Sequence, residues 1–476
     1  MRKILFLVLS FASAALMAQS NAVPLIYQPL FPASVAPGHG AFALKVRGTG
    51  FQSSSVVNWN GKPLKTKLIS ATLLEADVPA AAVAAPATGS VTVKNPGTIA
   101  SNVIYLPVRT PSKTVTVATD SAVIEGGQIT IGDFNNDNRP DLGISPVNSS
   151  GALSLDTYLS QGNNTFKKVQ GAVSSEIGPM YLSGNISADF NNDGNLDLAN
   201  CASTGGPNAG CVVFLGDGKG GFAKPAPINA FAGTGVAADI DRDGTLDALT
   251  TYYDGYGSYI YFQHGNGDGT FEFVGSHFIT LNYYFGGSPV VGDFNEDGKL
   301  DFAAPAYESN YVAVLLGNGD GTFQTEVDYP ISCSAFSSVV ADINRDGNLD
   351  IVSACTNGTV AVLLGKGDGT FVNGTSSALP YDAETKLQIA DLNGDGKLDL
   401  ATVTADNSGN QTLNIALGNA DGTFQTPIAI PAGQVPNASS LLAIADFNHD
   451  GLLDFAISGS INHPSQSQIL LQTPSK

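Results

Sequence analysis

The chain has 476 residues, room for two or three domains, with 43% hydrophobic and 13% charged residues. Against 22 Lys and Arg stand 42 Asp and Glu, a formal net charge of −20. That balance argues against a nucleic-acid partner, because phosphate binding needs a basic surface.

Residues 1–22 read MRKILFLVLSFASAALMAQSNA. Arg2 and Lys3 precede the apolar run Ile4 to Leu9, and small residues follow. This is the pattern of a secretory signal peptide, with cleavage expected near Ala18 or Ala22. No later segment reaches the roughly 18 apolar residues of a membrane span. The expectation is a secreted or periplasmic protein, monomeric and without a membrane span.

Residues 23–108 carry short alternating runs, among them VVNWNGKPL, LLEADVPAA and GSVTVKNPG, divided by Pro and Gly. They predict a small β-sandwich. The order of Pro32, Gly38, Val46, Gly48, Phe51, Val57, Gly61, Val78, Pro79, Gly89, Val91 and Val93 resembles the IPT/TIG family of immunoglobulin-like domains. That family serves as a spacer or interaction domain, so the resemblance implies no chemistry. Trp59, the single tryptophan, is read as a core residue.

From residue 109 onward one motif dominates. GDFNNDNRPDL at 132–142 returns as ADFNNDGNLDL, ADIDRDGTLDA, GDFNEDGKLDF, ADINRDGNLDI, ADLNGDGKLDL and ADFNHDGLLDF. The first aspartates are Asp133, Asp189, Asp239, Asp293, Asp342, Asp391 and Asp446, spaced by 56, 50, 54, 49, 49 and 55 residues. Aspartates of these loops account for 22 of the 42 acidic residues, leaving 20 against 22 Lys and Arg. The anionic excess therefore sits in the loops and not in a diffuse solubilising surface.

A period near 50 points to a propeller, solenoid or array. Each repeat but the last has four strand-length runs divided by Gly, Asn and Asp turns, including a recurring GDGTF-type turn that ends at Phe166, Phe222, Phe271, Phe323, Phe371 or Phe424. Four short antiparallel strands make one propeller blade. The last repeat stops after its third strand, while KTVTVATD at 113–120 precedes the first loop unassigned. Carrying over the offset between Phe323 and Asp342 places Thr114 in the missing strand, so 113–120 is expected to complete the last blade. Closure removes exposed sheet edges. The expected fold is all-β: an immunoglobulin-like sandwich at 23–108, then a seven-bladed β-propeller of four-stranded blades at 109–476.

The loops follow D-x-[ND]-x-D-G-x-x-D. Side chains at positions one, three, five and nine, with the backbone carbonyl of position seven, can converge on one point. The candidate ligands are Asp133, Asn135, Asp137, Arg139 and Asp141 in the first loop, and Asp189, Asn191, Asp193, Asn195 and Asp197 in the second. The third offers Asp239, Asp241, Asp243, Thr245 and Asp247, and the fourth Asp293, Asn295, Asp297, Lys299 and Asp301. The fifth has Asp342, Asn344, Asp346, Asn348 and Asp350. The sixth has Asp391, Asn393, Asp395, Lys397 and Asp399, and the seventh Asp446, Asn448, Asp450, Leu452 and Asp454. In each set the fourth named residue is the position-seven carbonyl donor. Oxygen ligands in this number suit Ca²⁺, with up to seven ions per chain, whereas Mg²⁺ demands a stricter octahedron. Zinc recruits His or Cys, and neither recurs here. Polar hairpin turns alone do not explain aspartate at positions one, five and nine of all seven loops. In the first loop Asn138 replaces the glycine of position six and Pro140 the usual leucine.

The loops, the apolar residue after each first aspartate (Phe134, Phe190, Ile240, Phe294, Ile343, Leu392, Phe447) and the GDGTF turns resemble the FG-GAP/VCBS repeats of integrin α subunits and many exported bacterial proteins. The resemblance implies Ca²⁺ at the named Asp and Asn residues, on loops joining the innermost strand of each blade to the second. On that topology Cys201, Cys211, Cys333 and Cys355 fall on the opposite face. Of three possible pairings, it favours the local disulfides Cys201–Cys211 and Cys333–Cys355. The same face is expected to collect Tyr252, Tyr253, Tyr256, Tyr283, Tyr284, Phe285 and Tyr307 as a ligand platform, since tyrosine suits sugars and protein partners alike. Tyr259 and Tyr261 are read as ordinary strand residues.

The leading functional expectation is an extracellular binding or adhesion module for a protein or glycan. The alternatives are a polysaccharide lyase or hydrolase on the same scaffold, or a structural surface or matrix protein. An enzyme needs a convergent acid/base set. The histidines, His39, His264, His277, His449 and His463, repeat no motif position, and no G-x-S-x-G or H-E-x-x-H occurs. No catalytic residue is assigned.

Overall fold

The computed structural model describes residues 22–118, 122–145, 153–162, 165–171, 173–174, 181–203, 210–223, 226–228, 235–253, 258–279, 288–306, 309–380, 386–406, 408–434, 441–458 and 466–474. The expected signal segment lies outside them, apart from Ala22.

Residues 23–108 form two four-stranded antiparallel sheets. One contains Leu25–Ile26, Phe42–Thr49, Leu73–Val78 and Lys65–Ser70, and the other Lys62–Pro63, Val56–Trp59, Ala87–Lys94 and Ile104–Val108. Alternation along the strands turns Leu44, Val46, Leu74, Ala76 and Val78 of the first inward onto Val57, Trp59, Val91 and Val93 of the second. Trp59 is 5% exposed, a core residue as expected. Gly89 makes room for it, since a Cβ there would stand 2.2 Å from the indole.

The repeat region forms seven antiparallel sheets of four or five strands among the described residues: six have four, and the fifth has five, where Ser377–Ala378 also pairs with Thr359–Gly365. The fifth is representative: Ala335–Ala341, Asp350–Cys355, Thr359–Gly365 and Phe371–Asn373 pair in chain order. In every repeat the aspartate loop joins the first strand to the second. Second strands such as Asp301–Ala306 and Asp350–Cys355 are buried along their whole length. Their apolar residues do not alternate, because neighbouring sheets cover both faces.

First strands pack on first strands. Gln128–Gly132 lies against Tyr181–Ala188, which lies against Gly235–Ala238, and Leu441–Ala445 of the last repeat lies against Gln128–Gly132. Aromatic pairs lock neighbours together. The loop residue Phe134 meets Phe222 of the following repeat with ring centroids 5.6 Å apart, Phe190 meets Phe271 at 5.6 Å, and Phe294 meets Phe371 at 5.4 Å. In the same places the turn glycines Gly220, Gly269 and Gly369 donate N–H to the carbonyls of Phe134, Phe190 and Phe294. Phe447 of the last repeat meets Phe166 of the first at 6.0 Å. The two sequence signatures, aspartate loop and GDGTF turn, are thus the two halves of one joint between repeats.

The last sheet is completed from the N-terminal side, though not in the expected register. In the described part of 113–120, Thr116–Val117 pairs with Gln472–Thr473, and Ala122–Glu125 runs as the outer strand beside Gln466–Leu470. Val117, not Thr114, holds the place of Phe323: it opposes Gln472 as Phe323 opposes Gly317. The offset failed here because no turn connects this sheet's third and fourth strands, so nothing fixes their spacing.

Cys333 and Cys355 form a disulfide, with Cα atoms 5.7 Å apart. It ties the link between the fourth and fifth sheets to the end of the fifth sheet's second strand. Cys201 and Cys211 stand opposite each other in the second sheet's register, and their side chains lie outside the described residues.

Phe447 is fully buried and belongs to the joint between the last and first repeats. Phe447→Ala should lower unfolding free energy by about 3–5 kcal/mol, read from urea denaturation of the full chain. A loss below about 1 kcal/mol would show that this joint carries no load.

Candidate cation loops and the face that carries them

The fourth loop shows the local construction. Asp293 at position one accepts the Asp297 N–H on Oδ1 at 3.0 Å and the Gly298 N–H on Oδ2 at 2.8 Å. Asn295 Oδ1 also accepts from Asp297 N, and Asp297 Oδ1 accepts from Lys299 N. Wrapping the backbone this tightly needs left-handed residues. Position six has positive φ in all seven loops, met by glycine six times and by Asn138 (φ 63°) in the first. Asn tolerates that region better than most residues. Position four is also left-handed, even where it is Arg242, Glu296, Arg345 or His449.

Position nine does something different. Asp301 Oδ2 accepts from Phe294 N at 2.7 Å, and its Oδ1 accepts from Gly317 N at 2.8 Å. One carboxylate therefore ties the end of the first strand to the end of the third. Asp141, Asp197, Asp247, Asp350, Asp399 and Asp454 repeat the pair of bonds. All seven side chains are fully buried.

Burial of these anions raises their pKa values. Asp141, Asp197, Asp247, Asp301 and Asp350 are pushed up to about 7 and Asp454 to about 8, by burial first, against backbone N–H donors and with help from neighbouring carboxylates. Asp399 is raised well above the usual carboxylate range for the same reason. At position one, Asp239, Asp293, Asp391 and Asp446 are pushed up to about 6, and Asp133, Asp189 and Asp342 are raised, again chiefly by burial. Side-chain cations reach some of these carboxylates: Arg109 acts on Asp391 and Asp399, Arg47 on Asp342, and His264 Nδ1 stands 3.5 Å from Asp247 Oδ1. Lys299 and Lys397 pair with Asp297 and Asp395 at position five.

These residues fit a calcium-type cation. The recurring donors are carboxylate and amide oxygens, which hard dications prefer. One acceptor is open: Asp342 Oδ1 is buried and receives no hydrogen bond. The same atom of Asp133, Asp189, Asp239, Asp293 and Asp446 takes the position-five N–H. In the third loop, one oxygen from each of Asp239, Asp241 and Asp247 lies within 4.8 Å of the others. At position seven the amides of Arg139, Asn195, Thr245, Lys299, Asn348, Lys397 and Leu452 all donate to the position-five carboxylate.

The sandwich rests on these loops, an arrangement no sequence motif announced. Val23 N donates to Asp239 Oδ2 at 2.7 Å, and Thr88 Oγ1 donates to Asp446 Oδ2 at 2.7 Å. Asp293 N donates to the Tyr27 hydroxyl, Asp342 N to the Gln28 carbonyl, and Ser34 Oγ to the Gly394 carbonyl. Buried Arg109 donates to Leu392 O and Gln472 Oε1. A cavity of about 900 Å³ remains between sandwich and repeats, lined by Gln28, Ile99 and Tyr105 on one side and Asp133, Asn192 and Asp391 on the other.

The expected aromatic platform is not brought into view. Tyr256, Tyr283, Tyr284, Phe285, Tyr307 and the side chains of Tyr252 and Tyr253 lie outside the described residues. Their described neighbours Tyr259 and Tyr261 sit in a strand, with rings stacked at 6.1 Å and flanked by Phe278 and Phe273.

The FG-GAP-like repeat matches residues 133–200, 189–250, 239–304, 302–353, 342–402 and 391–457. No curated protein matches the chain in sequence. Among solved structures, the chain is similar to an Agrocybe aegerita lectin described for recognition of non-reducing terminal N-acetylglucosamine, at 16% identity and TM-score 0.45, over 80% of this chain and 96% of that one. It is also similar to an auxiliary nutrient binding protein from Bacteroides ovatus (12% identity, TM-score 0.36, 95% and 98% coverage). A third is the BP39L lectin of Burkholderia pseudomallei (14%, 0.42, 72% and 96%).

The raised carboxylates predict an unusual pH dependence in chelator. Asp141, Asp197, Asp247, Asp301 and Asp350 titrate near 7 in the fold and near 4 in an unfolded chain. Between those values the folded chain holds more protons, so their contribution is fully present below about pH 4 and is lost as pH rises through about 7. Urea midpoints in chelator should fall steadily from pH 5 to pH 7.5. Midpoints that rise over this range would contradict the burial argument.

Proposed function

The chain belongs to the family of FG-GAP-like repeat proteins, and we propose that it is an exported, calcium-binding, seven-bladed β-propeller acting as an extracellular binding module for a protein or glycan. On this reading the seven sheets are the blades. The N-terminal sandwich is an immunoglobulin-like domain of IPT/TIG type seated on the calcium face, and the signal segment directs export. The observation that supports the metal reading most is the set of seven fully buried position-nine carboxylates, whose pKa values burial and neighbouring loop carboxylates raise together. A bound cation would offset this clustered negative charge. Seven Ca²⁺ contribute +14 and bring the formal charge from −20 to −6.

In each loop the carboxylates of positions one, five and nine, the amide oxygen or carboxylate of position three and the carbonyl of position seven would hold the ion. Bound calcium supplies charge neutralisation and pins the hairpin. The protein's own groups set the ligand spacing, through the N–H donors that fix each carboxylate. Calcium here is structural, and a rigid scaffold is what a recognition surface on loops requires. A binding module fits better than an enzyme, because the carboxylates are committed to the loops and no histidine recurs beside them as an acid/base partner.

The exported form should bind about seven Ca²⁺ per chain and lose thermal stability steeply in chelator, since a ligand that binds only the folded state stabilises it by mass action. Glycan and protein arrays in calcium should then give binding without turnover. No bound ions and no thermal shift would reduce the loops to turns. Product release from a polysaccharide panel would favour the lyase or hydrolase alternative.

A further inference from the structure

Two departures of the third repeat from the other six touch each other. Position three is asparagine in six loops, Asn135, Asn191, Asn295, Asn344, Asn393 and Asn448, but it is Asp241 in the third. The second departure lies in the third strand. The residue whose N–H caps the position-nine carboxylate is preceded by leucine six times: Leu159, Leu215, Leu316, Leu364, Leu417 and Leu471. In the third repeat it is preceded by His264.

The packing shows why a histidine fits there. Leu159, Leu215, Leu316 and Leu364 lie under the turn glycines of the following repeats, Gly220, Gly269, Gly369 and Gly422. In the third repeat Phe262 lies under Gly321 instead. Relieved of that packing, His264 turns to the loop. Its Nδ1 lies 2.9 Å from Asp241 Oδ2 and 3.5 Å from Asp247 Oδ1, and its Nε2 lies 3.7 Å from Asp243 Oδ2. One ligand atom from each of Asp241, Asp243 and His264 lies within 4.8 Å of the others. The side chains stay partly open, 28% for His264 and 39% for Asp243, so a hydrated ion has access.

We propose that the third loop and His264 form a mixed nitrogen–oxygen site that selects a first-row transition-metal dication of the zinc type, while the other six loops take calcium. This rests on reading the loops as cation sites. Imidazole suits Zn²⁺, Co²⁺ and Ni²⁺, whereas oxygen-only sets suit Ca²⁺ and Mg²⁺. Zinc coordinates His nitrogen and carboxylate oxygen at about 2.0–2.2 Å, and the three donor groups are close enough to share one such ion. The fourth carboxylate adds charge where the imidazole adds a softer donor.

The full chain, titrated with Co²⁺ in excess Ca²⁺, should bind one Co²⁺ per chain with a visible absorption band that Zn²⁺ abolishes. His264→Leu, which installs the residue of the other six repeats, should weaken that binding by more than about tenfold, since even outer-sphere partners of a metal ligand are worth 10–100-fold. Asp241→Asn should weaken it in the same direction and keeps the test open if His264→Leu does not fold. His39→Ala should bind Co²⁺ unchanged. No Co²⁺ uptake in excess Ca²⁺, or equal uptake by wild type and both variants, overturns the proposal and leaves a simple His–Asp ion pair. Seven Ca²⁺ with no Co²⁺ site would sink this inference alone. A His264-dependent Co²⁺ site with no bound Ca²⁺ would sink the calcium reading alone.

Discussion

Seven buried carboxylates, each crowded by the other carboxylates of its loop, are the constraint on which the repeat region depends. Each position-nine aspartate ties the end of a first strand to the end of a third through two backbone N–H groups, as Asp301 does with Phe294 and Gly317. A buried anion is costly unless hydrogen bonds and opposite charge offset it. The hydrogen bonds are present in all seven repeats; for opposite charge, Arg109 acts on Asp399 and His264 stands 3.5 Å from Asp247 Oδ1. The rest of each repeat takes its position from this tie. The tie sets the loop residue Phe134, Phe190 or Phe294 against the turn of the next sheet, and so one repeat places another.

The loops also carry the sandwich. Its contacts to Asp239, Asp293, Asp342, Gly394 and Asp446 go to the residues that would hold cations, or to backbone beside them. The sandwich is therefore seated on the face that carries the candidate cation loops. Two carboxylates, Asp239 and Asp446, divide their acceptors between a loop backbone and the sandwich. Loop order and domain docking are coupled through shared oxygen atoms and need no longer pathway.

Much of this was legible in the sequence. A motif repeated seven times at a nearly constant period exposes both repeat and loop. The alternation of Leu44, Val46, Leu74 and Ala76 exposes a two-sheet core. The Cys333–Cys355 disulfide is one of the two local pairings that the family resemblance favoured. Three things were hidden for physical reasons. The register of the closing strand was not fixed by any turn, so an offset borrowed from another repeat missed by three residues. The docking of the sandwich uses backbone groups and scattered side chains such as Tyr27, Ser34 and Thr88, which carry no pattern. His264 lies 17 residues beyond Asp247 and matches no motif. Only a comparison of third strands, where leucine stands six times in its place, singles it out.

In the proposed reading, cation occupancy holds the loops and, through them, the sandwich. Hydrogen exchange of the full chain in calcium and in chelator addresses this most directly. The account predicts that peptides containing Gly194, Gly298, Gly347 and Gly451 lose protection in chelator, and that peptides around Val23 and Tyr27 lose it with them. Unchanged protection in both sets would contradict the account, because the buried carboxylates would then hold the structure without a cation.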